Sequence, residues 1–125
     1  MYEYKYIKEP INMIMFKFSG NVNDNEFNLY KNDLNNILES QKAFYSVFDI
    51  LDIKNFDINF FIKQVSYMYS KKSLIKKLMK GNVILVDKSY ESIVSMTIKL
   101  KKQLCPNFIT SKKEEGIKFL LLLNS

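Results

Sequence analysis

The chain has 125 residues, 47% of them apolar and 14% aromatic, which is enough to build one hydrophobic core and excludes extensive disorder. Cys105 is the only cysteine, so an intrachain disulfide is excluded, and the absence of histidine removes the commonest general base and the commonest zinc-binding nitrogen. The longest apolar run, residues 119–123, is far shorter than the roughly 20 residues that span a bilayer. Since the N-terminus also lacks a secretory signal pattern, we expect one cytoplasmic domain over residues 1–125, without a membrane span, metal or cofactor.

The net charge of +6 comes from lysine alone, because the 19 basic residues include no arginine. Residues 1–60 carry 6 lysines and 9 acidic side chains, whereas residues 61–125 carry 13 lysines and 4 acidic side chains, so the second half is strongly basic. Lysine is a hydrated point charge without the planar fork by which arginine binds phosphate and guanine. The composition therefore favours loose electrostatic attraction over sequence-specific recognition of nucleic acid.

The first two predicted elements are strands. Tyr2, Tyr4 and Tyr6 alternate with charged residues, which is typical of a strand with one buried face. Pro10 cannot donate to a ladder of hydrogen bonds and marks a corner before a second alternating run, residues 11–19. The two runs predict a hairpin at the start of the sheet.

A helix capped by Asp24 follows, and it leads into an apolar strand over residues 43–51 whose pattern predicts a central position with both faces covered. Asp57 can cap the next helix, whose apolar side chains recur at steps of three and four. This helix either continues to residue 79 or breaks near residues 70–73, and in both cases we expect Gly81 to end it.

Two more strand and helix pairs complete the chain. Residues 83–86 predict a short buried strand, and Ser89 can cap a helix that stops at Pro106. Residues 108–110 predict the last strand, and Ser111 and Glu114 have the spacing of a capping box at the start of the last helix. The predicted order is ββαβαβαβα, an α/β fold with a mostly parallel central sheet and an N-terminal hairpin.

This order resembles that of the STAS domain, which is shared by sulphate transporters and anti-sigma factor antagonists. Residues 47–57, VFDILDIKNFD, look like the central strand and following loop of that family. Residues 111–120, SKKEEGIKFL, are similar to the terminal helix of its STAS-like or Sec14-like relatives. The resemblance covers nearly the whole chain and rests on pattern and topology rather than on a strict motif. It implies a regulatory protein-protein interaction rather than catalysis.

The resemblance also implies a partner-binding surface at the loop after the central strand and the first turn of the next helix. The residues concerned are Lys54, Asn55, Phe56, Asp57, Ile58, Asn59 and Phe60. In the antagonist branch, a serine just after an aspartate at the start of that helix is phosphorylated by a partner kinase, which switches binding off. Asp57 aligns with the aspartate, but Asn59 falls at the acceptor position and cannot be phosphorylated. We therefore expect Asp57 to be an ordinary helix cap and the phosphoswitch to be missing.

The competing hypothesis is a binder of anionic membranes or nucleic acid. The basic surface would be formed by Lys71, Lys72, Lys76, Lys77, Lys80, Lys101 and Lys102. Solvated helix faces have the same composition, so polyanion binding is the weaker alternative. Salt separates the two hypotheses, because polyanion binding weakens steeply between low and physiological salt.

Three further groups of side chains favour structural roles. Asp49, Asp52 and Asp57 form a tight acidic cluster, but their spacing lacks the ligand loop of a calcium site, so no metal is expected. Cys105 has no histidine to activate it and no other catalytic pairing is present, so we expect no enzyme. The aromatic residues could line a cavity for a small apolar ligand, but such residues more often fill the core, and a chain this short has little room for a lipid-sized pocket.

Overall fold

The structure is a computed structural model that describes residues 1–125 and alternates strands with helices along the chain. The strands are β1 (Tyr2–Ile7), β2 (Met13–Gly20), β3 (Phe44–Ile53), β4 (Met79–Leu85) and β5 (Asn107–Thr110). The helices are α1 (Asp24–Glu39), α2 (Ile58–Ser70), α3 (Lys72–Leu78), α4 (Glu91–Lys99) and α5 (Lys113–Asn124), with a short 3-10 helix at Lys88–Tyr90 before α4. The predicted order is confirmed, with the long second helix divided into α2 and α3 at Lys71.

The five strands form one sheet in the order β1-β2-β3-β4-β5. β1 pairs antiparallel with β2 as the predicted hairpin, and the other three pairings are parallel. Because successive parallel strands are neighbours and crossovers share one hand, the connecting helices lie on one face of the sheet. The fold class predicted from the sequence, an α/β fold with a mostly parallel sheet and an N-terminal hairpin, is therefore confirmed.

Two hydrophobic clusters cover the two faces of the sheet. The larger one joins the sheet to α1, α2, α3 and α4 and includes Phe48, while the smaller one joins it to α5 and includes Val47. Alternate residues of β3 thus point into different clusters, as expected of a strand that is covered on both sides. The prediction that β3 is the central strand is confirmed.

The prediction that β1 buries its tyrosine face is wrong for two of the three tyrosines. Tyr2 is half-buried and donates a hydrogen bond of 2.7 Å to Asp33 Oδ2, but Tyr4 and Tyr6 are 45% and 54% exposed. β1 is an edge strand, so a single neighbouring strand and part of α1 are all that cover its side chains.

Gly81 does not end a helix. α3 ends at Leu78, because Met79 is already extended, and Gly81 is a buried residue of β4. A Cβ atom on Gly81 would lie 2.6 Å from Leu123 Cδ1, so this glycine lets the last turn of α5 approach the sheet. The structure does need a glycine at position 81, but the reason is close packing against α5 and not the end of a helix.

Two predicted caps and one predicted helix end are also corrected. Asn23, not Asp24, caps α1, since its Oδ1 accepts a hydrogen bond of 2.9 Å from Glu26 N. Asp87, not Ser89, accepts from the first turn of the 3-10 helix, and α4 ends at Lys99, well before Pro106. In each case the capping side chain is one or two residues earlier in the chain, because the first residues after it already have helical geometry.

The capping box predicted at Ser111 does not form. Lys112 is the N-cap of α5 and makes no side-chain hydrogen bond there. Thr110 makes the side-chain hydrogen bonds at this turn instead of Ser111. Its Oγ1 accepts from Lys112 N at 3.0 Å and donates to Glu115 Oε2 at 3.3 Å. A residue of β5 thus organises the turn into the last helix.

Candidate functional site

The predicted partner-binding residues, segment 54–60, lie at the carboxyl end of the central strand. They follow β3 directly, between the turn after β2 and the turn after β4. At the carboxyl end of a parallel sheet, the loops that follow neighbouring strands lie side by side. The fold therefore places the segment in the middle of this end of the sheet, with the loops after β2 and β4 on either side.

Hydrogen bonds to the turn after β2 fix the first half of the segment. Lys54 N donates to Gly20 O at 2.8 Å, and Asn55 Nδ2 donates to Asn21 Oδ1 at 3.4 Å. Asn55 has a φ of 51°, in the left-handed region that asparagine tolerates better than most residues. These contacts hold the loop against the sheet while the side chains of Lys54 and Asn55 remain exposed.

Asp57 caps α2, which confirms the prediction made for it. Its Oδ1 accepts a hydrogen bond of 2.9 Å from Asn59 N, and Phe60 N donates to Asp57 O at 3.0 Å. The carboxamide of Asn59 is exposed on the first turn of the helix. The position that resembles a phosphoacceptor is thus accessible but carries no hydroxyl group.

The apolar residues of the segment face inward. The Phe60 ring lies 5.0 Å from the ring of Phe18 and 5.8 Å from that of Phe27, measured between centroids. Phe56, Ile58 and Phe60 are half-buried and pack against the larger cluster. The accessible surface of the segment is therefore polar and consists of Lys54, Asn55, Asp57 and Asn59.

The predicted basic surface lies elsewhere. Its residues occupy the end of α2, α3, the start of β4 and the turn after α4, at the amino ends of the parallel strands: Lys71, Lys72, Lys76, Lys77, Lys80, Lys101 and Lys102. None of the seven forms an ion pair, and Lys77 Nζ donates a hydrogen bond to the neutral Gln41 side chain at 3.1 Å. Segment 54–60 and the basic surface are two separate sites. The segment lies at the carboxyl ends of the parallel strands, and the basic surface lies at their amino ends.

The acidic residues singled out in the sequence have separate partners. Asp49 is buried and its Oδ1 accepts from Leu51 N at 3.0 Å, whereas Asp52 forms an exposed ion pair with Lys17 at 3.4 Å and Asp57 caps α2. Burial raises the pKa of the Asp49 carboxyl, which the Leu51 amide and the nearby Lys17 charge partly offset. No group of three or more acidic, histidine or cysteine side chains converges in the way that a metal ion requires.

Cys105 is buried in the turn before β5. Burial raises the pKa of its thiol to about 12, so the thiol is protonated at neutral pH and is a poor nucleophile.

The core aromatic residues contact one another rather than line a cavity. Phe16, Phe18 and Phe48 surround the buried ring of Tyr30, at centroid distances of 5.2, 5.7 and 5.6 Å. Edge-to-face pairs of this kind stabilise a closed core. The exposed Tyr4 and Tyr6 instead border an open surface groove between β1 and α1.

A cleft that sequence reasoning missed lies beneath the basic surface. It has a volume of about 40 Å³ and lies between α2, the middle of β4, the start of β5 and residues 101–105. Its polar floor is formed by Gln64, Tyr69, Asn82 and Asn107, and we call it the amide cleft. The sequence did contain a signal, because Gln64 interrupts the apolar stripe of α2, and Asn82 directly precedes the apolar run of residues 83–86.

The sheet order, the N-terminal hairpin and the closing helix on the second face define an α/β domain of STAS-like architecture. No protein-family model matches the sequence, and no curated protein matches it. Among solved structures, the chain is similar to an uncharacterized protein of the DUF3478 family with a SpoIIAA-like fold from Shewanella loihica PV-4. The likeness has a TM-score of 0.68, covers 96% of this chain and 92% of that chain, and has 11% sequence identity. It shows the fold alone, and because the SpoIIAA-like fold is the STAS-like fold, the predicted resemblance is confirmed.

None of the five helices has both the length and the apolar character that a bilayer crossing demands.

Proposed function

We propose that the chain is a non-catalytic regulatory module that acts in the cytoplasm and binds a protein partner through segment 54–60. The observation that supports the proposal is the fixed presentation of Lys54, Asn55, Asp57 and Asn59 at the centre of the sheet edge. A surface that is already ordered loses little conformational entropy on binding, which favours its use in recognition. The resemblance to anti-sigma factor antagonists favours the same surface.

The chemistry of the segment indicates what kind of partner it would bind. Its accessible groups are one cation, one carboxylate and two carboxamides, because the phenylalanine rings face the core. A complementary partner surface would supply hydrogen-bond donors and acceptors with charges of both signs. Since Asn59 has no hydroxyl group, phosphorylation of this residue would not regulate the complex.

The experiment uses the full chain as bait in an extract of the source cells at physiological salt, followed by affinity measurement with the retained protein. The test variant carries Lys54→Glu and Asn59→Lys, which change exposed side chains only. The control carries Lys118→Glu and Asn32→Lys, the same changes at exposed positions on α5 and α1. Phe60 is left unchanged because its ring belongs to the core.

The proposal expects affinity for the retained protein to fall at least about tenfold in the test variant, equivalent to roughly 1.4 kcal/mol, and to stay unchanged in the control. Equal retention by all three proteins would contradict it.

The second candidate function is polyanion binding. It is favoured by the seven lysines of the basic surface, none of which forms an ion pair. Binding of a DNA duplex and of vesicles with anionic lipid is measured at about 50 and 200 mM salt. If this candidate is correct, binding should weaken steeply as salt increases. Lys76→Gln and Lys77→Gln should each reduce it. Binding that does not respond to salt would exclude it.

A further inference from the structure

We propose that the amide cleft binds a small organic carboxylate with a short apolar body. The cleft is independent of the function proposed for segment 54–60, because it lies at the opposite edge of the sheet. It uses the second half of α2, Asn82 and Ile84 of β4, the first residue of β5 and the turn after α4.

The floor of the cleft carries buried polar side chains. Gln64 and Asn82 are each 3% exposed, although one occupies the buried stripe of α2 and the other the centre of a buried strand. Asn82 Nδ2 donates to Asn107 Oδ1 at 3.1 Å, and Gln64 Nε2 donates to Tyr30 Oη at 3.0 Å. The hydrogen bonds hold these carboxamides in fixed orientations, which is the arrangement found in specific binding pockets.

Tyr69 also lines the cleft. Its hydroxyl is closed off from solvent and has no hydrogen-bond partner in the protein. A phenol hydroxyl both donates and accepts, and leaving it unpaired is unfavourable for the folded protein. A ligand oxygen that reaches this hydroxyl through a small shift of the cleft wall would provide the missing partner.

The mouth of the cleft selects for negative charge. Lys101 Nζ lies 4.8 Å from the centroid of the Tyr69 ring, and Lys102 also lines the cleft. Both lysines are exposed, neither forms an ion pair, and no acidic residue lines the cleft. An anion that enters would therefore meet two cations without competition from a carboxylate of the protein.

The walls determine the rest of the ligand. They are apolar and are formed by Val65, Met68, Ile84, Ile98 and Leu104. The volume of about 40 Å³ corresponds to about three water molecules, so the part of a ligand that enters has only a few heavy atoms. These properties fit a short-chain or monocyclic carboxylate.

The test is a titration of the full chain with butyrate and with benzoate, followed by NMR of the backbone amides. Butyramide, which lacks the charge, and inorganic phosphate, which lacks the apolar body, are the matched controls. We expect saturable shifts at Tyr69, Asn82 and Lys101, with a dissociation constant of about 0.1–10 mM for ligands of roughly six to nine heavy atoms. Butyramide and phosphate should bind at least tenfold more weakly.

Two variants assign the contacts. Tyr69→Phe removes one oxygen and Lys101→Met removes one charge while keeping the apolar stem, and each should weaken carboxylate binding at least threefold. Tyr90→Phe and Lys118→Met make the same changes at exposed positions outside the cleft and should leave it unchanged. Without ligand, Tyr69→Phe should unfold at a higher temperature than the wild type, because it removes an unpaired buried hydroxyl.

Several outcomes would overturn the proposal. They are an absence of saturable binding of both carboxylates to the wild type, equally tight binding of butyramide or phosphate, and carboxylate binding that neither Tyr69→Phe nor Lys101→Met changes. The first two are measured on the wild type and so do not depend on how the variants fold.

Discussion

The ring of Phe56 stacks on the ring of Tyr90, with centroids 4.5 Å apart and planes inclined by 17°. Phe56 belongs to the loop after β3, and Tyr90 ends the 3-10 helix after β4. The stack therefore joins the loops that follow two neighbouring strands. It is one of the contacts that keep segment 54–60 in a single conformation.

Removing this stack should loosen the segment. Tyr90→Ala is expected to lower the free energy of unfolding by about 1 kcal/mol, because aromatic pairs contribute roughly 0.5–1.5 kcal/mol beyond their buried area. Hydrogen exchange at Lys54, whose amide donates to Gly20 O, should become faster, while exchange in β3 stays slow. Tyr6→Ala, an exposed tyrosine on the edge strand, is the control. Unchanged exchange at Lys54 in Tyr90→Ala would show that other contacts hold the loop.

Gly116 allows α5 to lie close to the sheet. A Cβ atom at this position would be 2.7 Å from Val83 Cγ1, in the middle of β4. Gly116→Ala should lower the free energy of unfolding by about 1–3 kcal/mol, because overpacking outweighs the gain of roughly 1 kcal/mol in helix propensity. Urea denaturation measures the difference, with Lys118→Ala on the exposed side of α5 as the control. A stabilised Gly116→Ala protein would mean that α5 can shift away from β4 at little cost.

The buried carboxylate of Asp49 should make stability depend on pH. Because burial raises its pKa in the folded state, the folded protein holds this proton more tightly than the unfolded chain, and stability falls as pH rises through the window between the two values. Asp49→Asn should therefore raise the unfolding temperature at pH 7 by about 2–5 °C, with a smaller gain below pH 4. Asp52→Asn alters an exposed ion pair and should change stability by less than about 0.5 kcal/mol. An Asp49→Asn protein that is less stable at pH 7 would show that the ionised form is required.

The periodicity of apolar residues predicted most of the helices and strands. Capping side chains predicted where the helices begin and end less well. The apolar pattern of residues 43–51 identified the central strand because both of its faces are covered, and the carboxylate of Asp57 identified the start of α2. The caps at residues 24 and 89 were misplaced because Asn23 and Asp87, which lie just before them, have equally suitable side chains. Competing caps of this kind are decided by backbone geometry that the sequence does not display.

The candidate sites show a different limit. Segment 54–60 was located by its place in the order of elements. The sequence could not show that Phe60 faces the core, because the spacing of apolar residues does not tell which side of the first helical turn packs against the sheet. The amide cleft was missed because Gln64 and Asn107 are 43 residues apart in the chain and meet only after β4 and β5 pair. Gln64, a polar residue within the apolar stripe of α2, was the available signal.

The buried thiol of Cys105 should make the free energy of unfolding depend on pH in the alkaline range. Burial raises the pKa of its thiol from an ordinary value of 9.0 to about 12, so above pH 9 the unfolded chain loses this proton while the folded protein keeps it. The free energy of unfolding should fall as pH rises from 9 toward 12, by at most about 1.4 kcal/mol per pH unit from this group. Burial also raises the pKa of the Tyr30 hydroxyl, which adds to the decline above pH 10.

Denaturant titrations between pH 8 and 10.5 measure this dependence, and Cys105→Ala should show a shallower decline than the wild type. At pH 8 the native thiol should react with a disulfide reagent only as fast as the protein opens, whereas the unfolded chain should react at once. Parallel pH profiles for the wild type and Cys105→Ala, or fast labelling of the native protein, would show that the thiol is not held in the buried, protonated state that the fold assigns to it.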